Sequence, residues 1–308
     1  MARRVVLAGG SGYLGRHLAE RLRARGDEVV VLTRGSSTER NGVRFEHWDG
    51  RSPGSWAVAL EGAHALVNLA GRRVDVRPTR RNVDDLRRSR VDAVRALGQA
   101  LAALDTPPAV WVQVATMAIY GEGGEIVCDE TVAPPPEGPR QMVGVATAWE
   151  AAFDAAARDG AARAVLLRCG VALGPGDPAT AHLAWLARLG MGGRIGTGRQ
   201  WVSWIALDDL LDVTLRAIDE PAMTGVYHVT SPQPVRNAAL MAAVRRAVGR
   251  RWGLPVPAFG VQVGTRLLGS DAALPLTGRR GHPGRLLDEG YRFIAPDLDT
   301  ALGRALAR

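Results

Sequence analysis

Short apolar runs and helical patterns take turns along the first half of this chain. Residues 4–8 (Arg-Val-Val-Leu-Ala) read as a buried strand, and glycines separate them from a helical stretch over 13–25. Residues 28–33, 43–48 and 65–70 predict three more strands, the last ending at Gly71. Val83, Leu86, Val91, Val94, Leu97 and Leu101 then recur at a spacing that lays one apolar stripe along a helix over 80–103. Pro107 and Pro108 stop that helix, and 110–115 predict a fifth strand. Strands that alternate with helices in this way pack as a parallel sheet covered on both faces.

The second half begins on the same rhythm and then loses it. Residues 121–140 are rich in glycine, proline and acid, which predicts a long loop. A loop of that length is often functional, and closing over a site is one use for it. A helix over 141–157 leads to a sixth strand at 164–168. Beyond Gly170 come loops, a helix at 181–189, and short strands near 202–205 and 226–229. The remainder mixes helix and loop with no clean period.

Composition narrows the chemistry. The 308 residues are 46% hydrophobic and 23% charged, the proportions of a globular protein. No run approaches the ~18 apolar residues of a membrane span, and Met1-Ala2-Arg3-Arg4 leads straight into a strand rather than a secretory leader. Cys128 and Cys169 offer neither a disulfide framework nor a metal-binding spacing. The expectation is a cytoplasmic protein with no membrane partner and no metal. All 39 basic residues are arginine. Arginine keeps its proton near neutral pH, so mechanisms that need a catalytic lysine are excluded. The net charge of +8 is spread over arginine pairs from Arg72-Arg73 to Arg279-Arg280, with no aromatics interleaved. Solvated helix faces explain it, and no nucleic-acid partner is expected.

The first strand runs into Gly9-Gly10-Ser11-Gly12-Tyr13-Leu14-Gly15 and then into a helix. In that setting the glycines permit a tight turn, close approach to a pyrophosphate and close packing of helix on strand. The phosphates would accept the unpaired N–H groups at the helix's positive end. The ribose-reading position lies ~20 residues further on. There the chain has Thr33-Arg34-Gly35-Ser36, with no acid to hold a 2′-hydroxyl. The planar fork of Arg34, with Ser36 beside it, suits a 2′-phosphate, so NADP(H) is expected rather than NAD. A solvated strand-end arginine is the plain alternative. Asp49 is placed to touch an adenine amino group, or simply to make the turn before Gly50. Asn68-Leu69-Ala70-Gly71 ends a strand with small residues where a dinucleotide would cross, or where a strand merely stops.

These residues, with Thr116-Met117-Ala118-Ile119-Tyr120-Gly121 after the fifth strand, resemble an extended short-chain dehydrogenase/reductase. Arg88-Ser89-Arg90-Val91, Trp149-Glu150, 168–174, 196–205, 231–237, 283–287 and 290–293 are similar to its "epimerase family protein" branch. The resemblance runs nearly end to end. It implies a Rossmann-type, doubly wound α/β domain over 1–170 with a returning segment near 201–230. A smaller substrate lobe would come from 171–200 and 231–308. It also implies bound NADP(H) and a small-molecule ketone as substrate. The wider superfamily delivers a proton through a Tyr-x-x-x-Lys pair. Aligned on Trp149-Glu150, those places hold Met142 and Ala146, as is common in the branch.

Thr116, at the superfamily's serine position, could hydrogen-bond a substrate carbonyl, or cap backbone at a strand end. Tyr120 carries a phenol near the same edge, and packing is its plainer role. His182 is a third candidate, with a surface histidine as the alternative. Water or the substrate's own hydroxyl could also deliver the proton. Trp185, Trp201, Trp204 and Trp252 are either packing or the walls of a pocket for a flat aromatic ligand. The leading expectation is an NADPH-dependent ketoreductase without the dyad, acting on a bulky, aromatic polyketide-like ketone in specialised metabolism, as angucyclinone-type ketoreductases do. A non-catalytic NADP(H)-binding sensor and a nucleotide-sugar epimerase are the competing readings.

Overall fold

A computed structural model describes residues 2–135, 137–158 and 160–307. The chain opens with β1 (Arg4–Ala8), α1 (Tyr13–Ala24), β2 (Glu28–Thr33), β3 (Thr38–Arg40), β4 (Val43–His47) and β5 (Ala65–Asn68). It continues through α2 (Arg80–Ala102), β6 (Val110–Thr116), β7 (Val127–Cys128), α3 (Val145–Arg158), β8 (Arg163–Cys169), β9 (Val171–Leu173) and α4 (Pro178–Arg188). Next come β10 (Trp201–Val202), β11 (Trp204–Ala206), α5 (Leu207–Asp219), β12 (Gly225–Val229), β13 (Val235–Arg236) and α6 (Asn237–Ala247). The chain closes with α7 (Ala258–Leu268), α8 (Ala273–Leu276), β14 (Arg280–Gly281), α9 (Gly284–Asp288) and α10 (Leu298–Leu306).

The central sheet has eight strands in the order β12-β8-β6-β5-β1-β2-β4-β3, parallel except for β3. This is a Rossmann-type doubly wound fold. Its switch point lies between β1 and β5, where successive strands are added in opposite directions, and ligands of such sheets bind at that crevice. Strand alternation sorts the core into two layers. Val5, Leu7, Val29, Val31, Val165 and Leu167 face α1 and α5. Val6, Ala8, Val30, Leu32 and Leu66 face the other way, onto Ala93, Val94 and Leu97 of α2 and Phe153 of α3. A separate cluster joins Leu173, Trp204, Leu240, Val244 and Leu302 from β9, β11, α6 and α10.

Three features differ from the sequence pattern. β3 consists of three exposed residues with no apolar period, and it exists because Asn41 and Gly42, both at positive φ, turn the chain back on β4. α5 is a strongly one-sided helix in a stretch for which no helix is predicted, with Leu207, Leu210, Leu211 and Ile218 buried. The helix expected from 141 begins with a π-helical turn over Arg140–Gly144 before α3 proper. Among the described residues, no helix is long and apolar enough to cross a membrane, and no cluster of His, Cys, Asp and Glu could hold a metal ion.

Candidate functional site

The three glycines after β1 have three different jobs. Gly9 sits at φ +73°, and a Cβ there would lie 2.8 Å from the Ala70 backbone, so the ends of β1 and β5 touch main chain to main chain. A Cβ on Gly15 would stand 2.3 Å from the Gly10 carbonyl oxygen, which fixes helix against turn. At Gly12 the nearest protein atom would be 3.6 Å away. The protein does not require glycine there; a ligand approaching the backbone would. α1 starts without a side-chain cap or an acid in its first turn, so the first N–H groups, at Tyr13 and Leu14, are open to an anion. The Tyr13 hydroxyl donates to the Pro175 carbonyl (3.1 Å), and burial pushes its pKa up to about 12.

At the end of β2, Thr33 Oγ1 lies 3.4 Å from Ser11 Oγ, which places the Arg34 loop and the glycine turn along one crevice. The Gly35 N–H donates to Thr33 Oγ1, the His47 N–H to Ser37 Oγ (2.9 Å), and His47 Nδ1 meets the Gly35 carbonyl. The loop backbone is thus pinned while Arg34 and Ser36 stay exposed, and the Arg34 guanidinium has no hydrogen bond or ion pair among the described residues. Asp49 forms a turn. It accepts from the Arg51 and Ser52 N–H groups and the Ser52 hydroxyl, and the last of these does most to pull its pKa down to about 2. An adenine amino group would meet a carboxylate that already holds three donors and keeps acceptor capacity for one more.

The turn after β5 is held from beneath. Asn68 is fully buried; its Oδ1 accepts from the Ala70 N–H and its Nδ2 donates to Gln113 Oε1 (2.9 Å). The Leu69 N–H donates to the Ala8 carbonyl. A Cβ on Gly71 would press on the Arg90 guanidinium at 3.1 Å. Arg90 donates to the Leu86 and Arg72 carbonyls, sits 5.1 Å above the Trp149 ring, and has its pKa drawn down to about 10 by burial. Arg90 belongs to the Arg88–Val91 stretch that carries the family resemblance and Gln113 to no motif, and the fold reveals both as supports of the Leu69–Ala70–Gly71 crossing.

Thr116 ends β6 at the same carboxyl edge, and its Oγ1 accepts from the Ala118 N–H, which leaves its own hydrogen to donate. Tyr120 is placed otherwise. It is 3% exposed and its hydroxyl accepts from Arg168 Nη1 (2.7 Å). The same oxygen lies 3.1 Å from His228 Nε2 and within 3.2 Å of the Asp129 and Val132 carbonyls. Arg168 forks onto the buried Glu150 carboxylate at 2.7–3.2 Å. His228 Nδ1 faces the Cys128 and His282 carbonyls, so its proton belongs on Nδ1 and Nε2 can accept. Burial first, and the Arg168 charge second, lower the His228 pKa to about 4, while burial lifts that of Tyr120 to about 12. The phenol is locked in a closed network with every partner provided.

Met142 and Ala146 are buried at the start of the helix that follows, and His182 lies exposed on α4 beside Trp185. The four tryptophans take separate places, which favours packing and surface roles over the walls of one aromatic-lined pocket. Trp204 is fully buried, Trp185 and Trp252 are exposed, and Trp201 is stacked between the guanidinium groups of Arg236 (3.9 Å) and Arg280 (4.9 Å). Each found an alternative to the pocket: core packing, surface, or a cation stack. Both thiols are held protonated by burial, Cys169 with a pKa near 12. The 121–140 segment is sewn to the C-terminal part. β7 pairs with β14, the Gly123 N–H donates to the Gly278 carbonyl, and Glu130 accepts from the His228 N–H.

Comparison with known proteins agrees with this architecture. Residues 5–230 match the NAD dependent epimerase/dehydratase family, and 256–305 match a domain of unknown function (DUF1731). Human Epimerase family protein SDR39U1 is 32% identical over 310 residues, spanning 99% of this chain and 100% of its own length. Epimerase family protein YfhF of Bacillus subtilis is 29% identical over 306 residues, covering 98% of each chain. The crystal structure of human SDR39U1 (isoform 2) with NADPH superposes with a TM-score of 0.84 at 30% identity, covering 98% of this chain and 99% of that one. With its glycine turn at a doubly wound switch point and a family match over residues 5–230, the chain belongs to the NAD dependent epimerase/dehydratase family.

Proposed function

We propose that this protein is an NADPH-dependent ketoreductase that works without a Tyr/Lys pair. The observation that carries the reading is the crevice running from the uncapped start of α1 to the exposed, unpaired Arg34. A dinucleotide pyrophosphate fits the Gly12 end, and a 2′-phosphate fits the arginine fork. NADPH, when bound, supplies the hydride. Gly9 and Gly15 shape the turn, Tyr13 and Leu14 offer N–H groups, and Leu69, Ala70 and Gly71 form the floor near the reacting end. Residues 171–200 and 231–308 serve as the substrate lobe.

A carbonyl that accepts hydride at carbon must gain a proton at oxygen, and a well-placed acid typically contributes about 10²–10⁴-fold. Thr116 is the side chain of this edge with a hydrogen free to aim at that oxygen. Tyr120 is committed to its buried network. The proton then comes from water or from a hydroxyl on the substrate, which favours ketones that bear a neighbouring phenol. With the tryptophans dispersed, the aromatic polyketide assignment rests on this missing acid alone. NADPH consumption against polycyclic aromatic ketones bearing a neighbouring free phenol, and against their methyl ethers, tests the reading. Turnover of the free phenols is expected, with the ethers far slower. Tight NADPH binding with no reduction of any ketone would favour the sensor instead.

A further inference from the structure

Counted against the acids, the positive charge of this chain is concentrated rather than spread. Residues 178–206 and 221–270 hold nine of the 39 arginines and none of the 31 acids, so the rest of the chain is close to neutral. Arg245, Arg246, Arg250 and Arg251 line an open groove at the end of α6. Arg246 pairs with Asp299 of α10, and Arg245 donates to the Gly192 carbonyl. Arg250 and Arg251 are exposed, as are Arg188 on α4 and Arg266 on α7. None of these four guanidinium groups has a hydrogen bond or ion pair among the described residues.

The surface beside the groove is apolar. A Cβ on Gly253 would stand 2.8 Å from Arg245 Cδ, so the Trp252–Leu254 segment abuts the groove. The Trp252 ring rests on Gly190, where a Cβ would lie 3.1 Å from it, and the Leu254 N–H donates to the Gly190 carbonyl. Both residues therefore lie against the end of α4, which carries Trp185 and is followed by Leu189. All four side chains are more than half exposed. α7 begins after Pro257, and there Phe259, Val263 and Leu267, four positions apart, leave a second apolar stripe in the open. Apolar surface gathered in this way marks a place where something else docks.

We propose that this face rests on an anionic lipid bilayer, with its tryptophans and leucines at the boundary of headgroups and acyl chains and its arginines on lipid phosphates. Indole rings settle at headgroup depth, and aliphatic side chains beside unpaired cations are the composition of a surface that lies in the membrane interface. Each basic residue near an anionic leaflet adds to the attraction. A second copy docked symmetrically would set arginines against arginines. A nucleic acid would use the arginines and leave Leu189, Leu254 and Leu267 facing water. Among the described residues no helix is long and apolar enough to cross a membrane, so the contact is peripheral. The proposal stands apart from the ketoreductase reading.

Co-sedimentation with vesicles of phosphatidylcholine alone, and of phosphatidylcholine with one-third phosphatidylglycerol, tests it. Binding to the mixed vesicles is expected to be about tenfold tighter or more, and to weaken as salt is added. Arg250→Gln combined with Arg251→Gln should weaken it roughly 30-fold, the worth of two basic residues at such a surface. Trp252→Ser combined with Leu254→Ser should weaken it about tenfold, through lost apolar burial. The urea midpoint should be unchanged in both variants, because all four side chains are exposed. No binding to the mixed vesicles, equal binding to both kinds, or full binding by either variant would overturn the proposal. So would preference for duplex DNA or single-stranded RNA over the vesicles, or a stable dimer that Trp252→Ser separates.

Discussion

Two arginines stand near the carboxyl ends of strands in the central sheet, Arg168 on β8 and Arg34 just past β2, and they are treated in opposite ways. Arg168 forks onto Glu150, reaches the Tyr120 hydroxyl, and has His228 closing the far side of that phenol. Arg34 lies exposed, with no hydrogen bond or ion pair to its guanidinium among the described residues. The first region is complete, and a group complete within the protein has little left to offer a ligand. The second is unfinished in the way a binding site must be before its ligand arrives.

Breaking the completed region should cost the most. Glu150→Ala leaves the Arg168 cation buried without its anion, and a loss of about 3–5 kcal/mol is expected. The urea midpoint would show it, with NADPH affinity unchanged wherever the variant still folds. Removing an unfinished group should do the reverse. Arg34→Ala is expected to leave stability within about 0.5 kcal/mol but to weaken NADPH binding by roughly 1.5–3 kcal/mol, the worth of hydrogen bonds to a charged group. NADH binding, measured by the same fluorescence titration, should hardly move.

The closed network also predicts a pH dependence. Folded His228 stays neutral down to about pH 4, whereas an unfolded histidine takes up a proton near pH ~6.5. Acid therefore favours the unfolded chain. The stability is present above pH ~6.5 and is lost as the pH falls toward 4, by about 2 kcal/mol between pH 7 and pH 5. Denaturant melts at the two pH values should show this loss, and His228→Gln should flatten that part of the profile. Tyr120→Phe sharpens the comparison further. It strands the Arg168 donor and should cost ~1–3 kcal/mol of stability, while kcat on a phenol-bearing ketone changes less than threefold.

How much of this is legible in the sequence follows from how far apart the partners lie. The glycine turn, the parallel strands and the position of Arg34 follow from residues within one strand-turn-helix unit. Local spacing suffices because the backbone itself makes the site. Tyr120, by contrast, is explained by Arg168 and His228, which lie 48 and 108 positions away, and Gln113 is explained only by Asn68. The tryptophans stay ambiguous for the same reason: a large aromatic residue reads alike whether it fills the core, as Trp204 does, or lies exposed, as Trp252 does. α5 and the Asn41-Gly42 hairpin, on the other hand, do have local signals, in a one-sided apolar stripe and a turn dipeptide. Nothing in the local spacing of Gly278-Arg279-Arg280-Gly281 tells which of the two arginines stacks on Trp201.

The most direct test of the central claim is NADPH oxidation by the unaltered protein and by Tyr120→Phe. The substrate would be a naphthyl ketone with a neighbouring free phenol, assayed beside its methyl ether. Turnover of the phenol by both proteins, with the ether at least tenfold slower, is the predicted result. Loss of turnover in a folded Tyr120→Phe, or equal rates on phenol and ether, would contradict it.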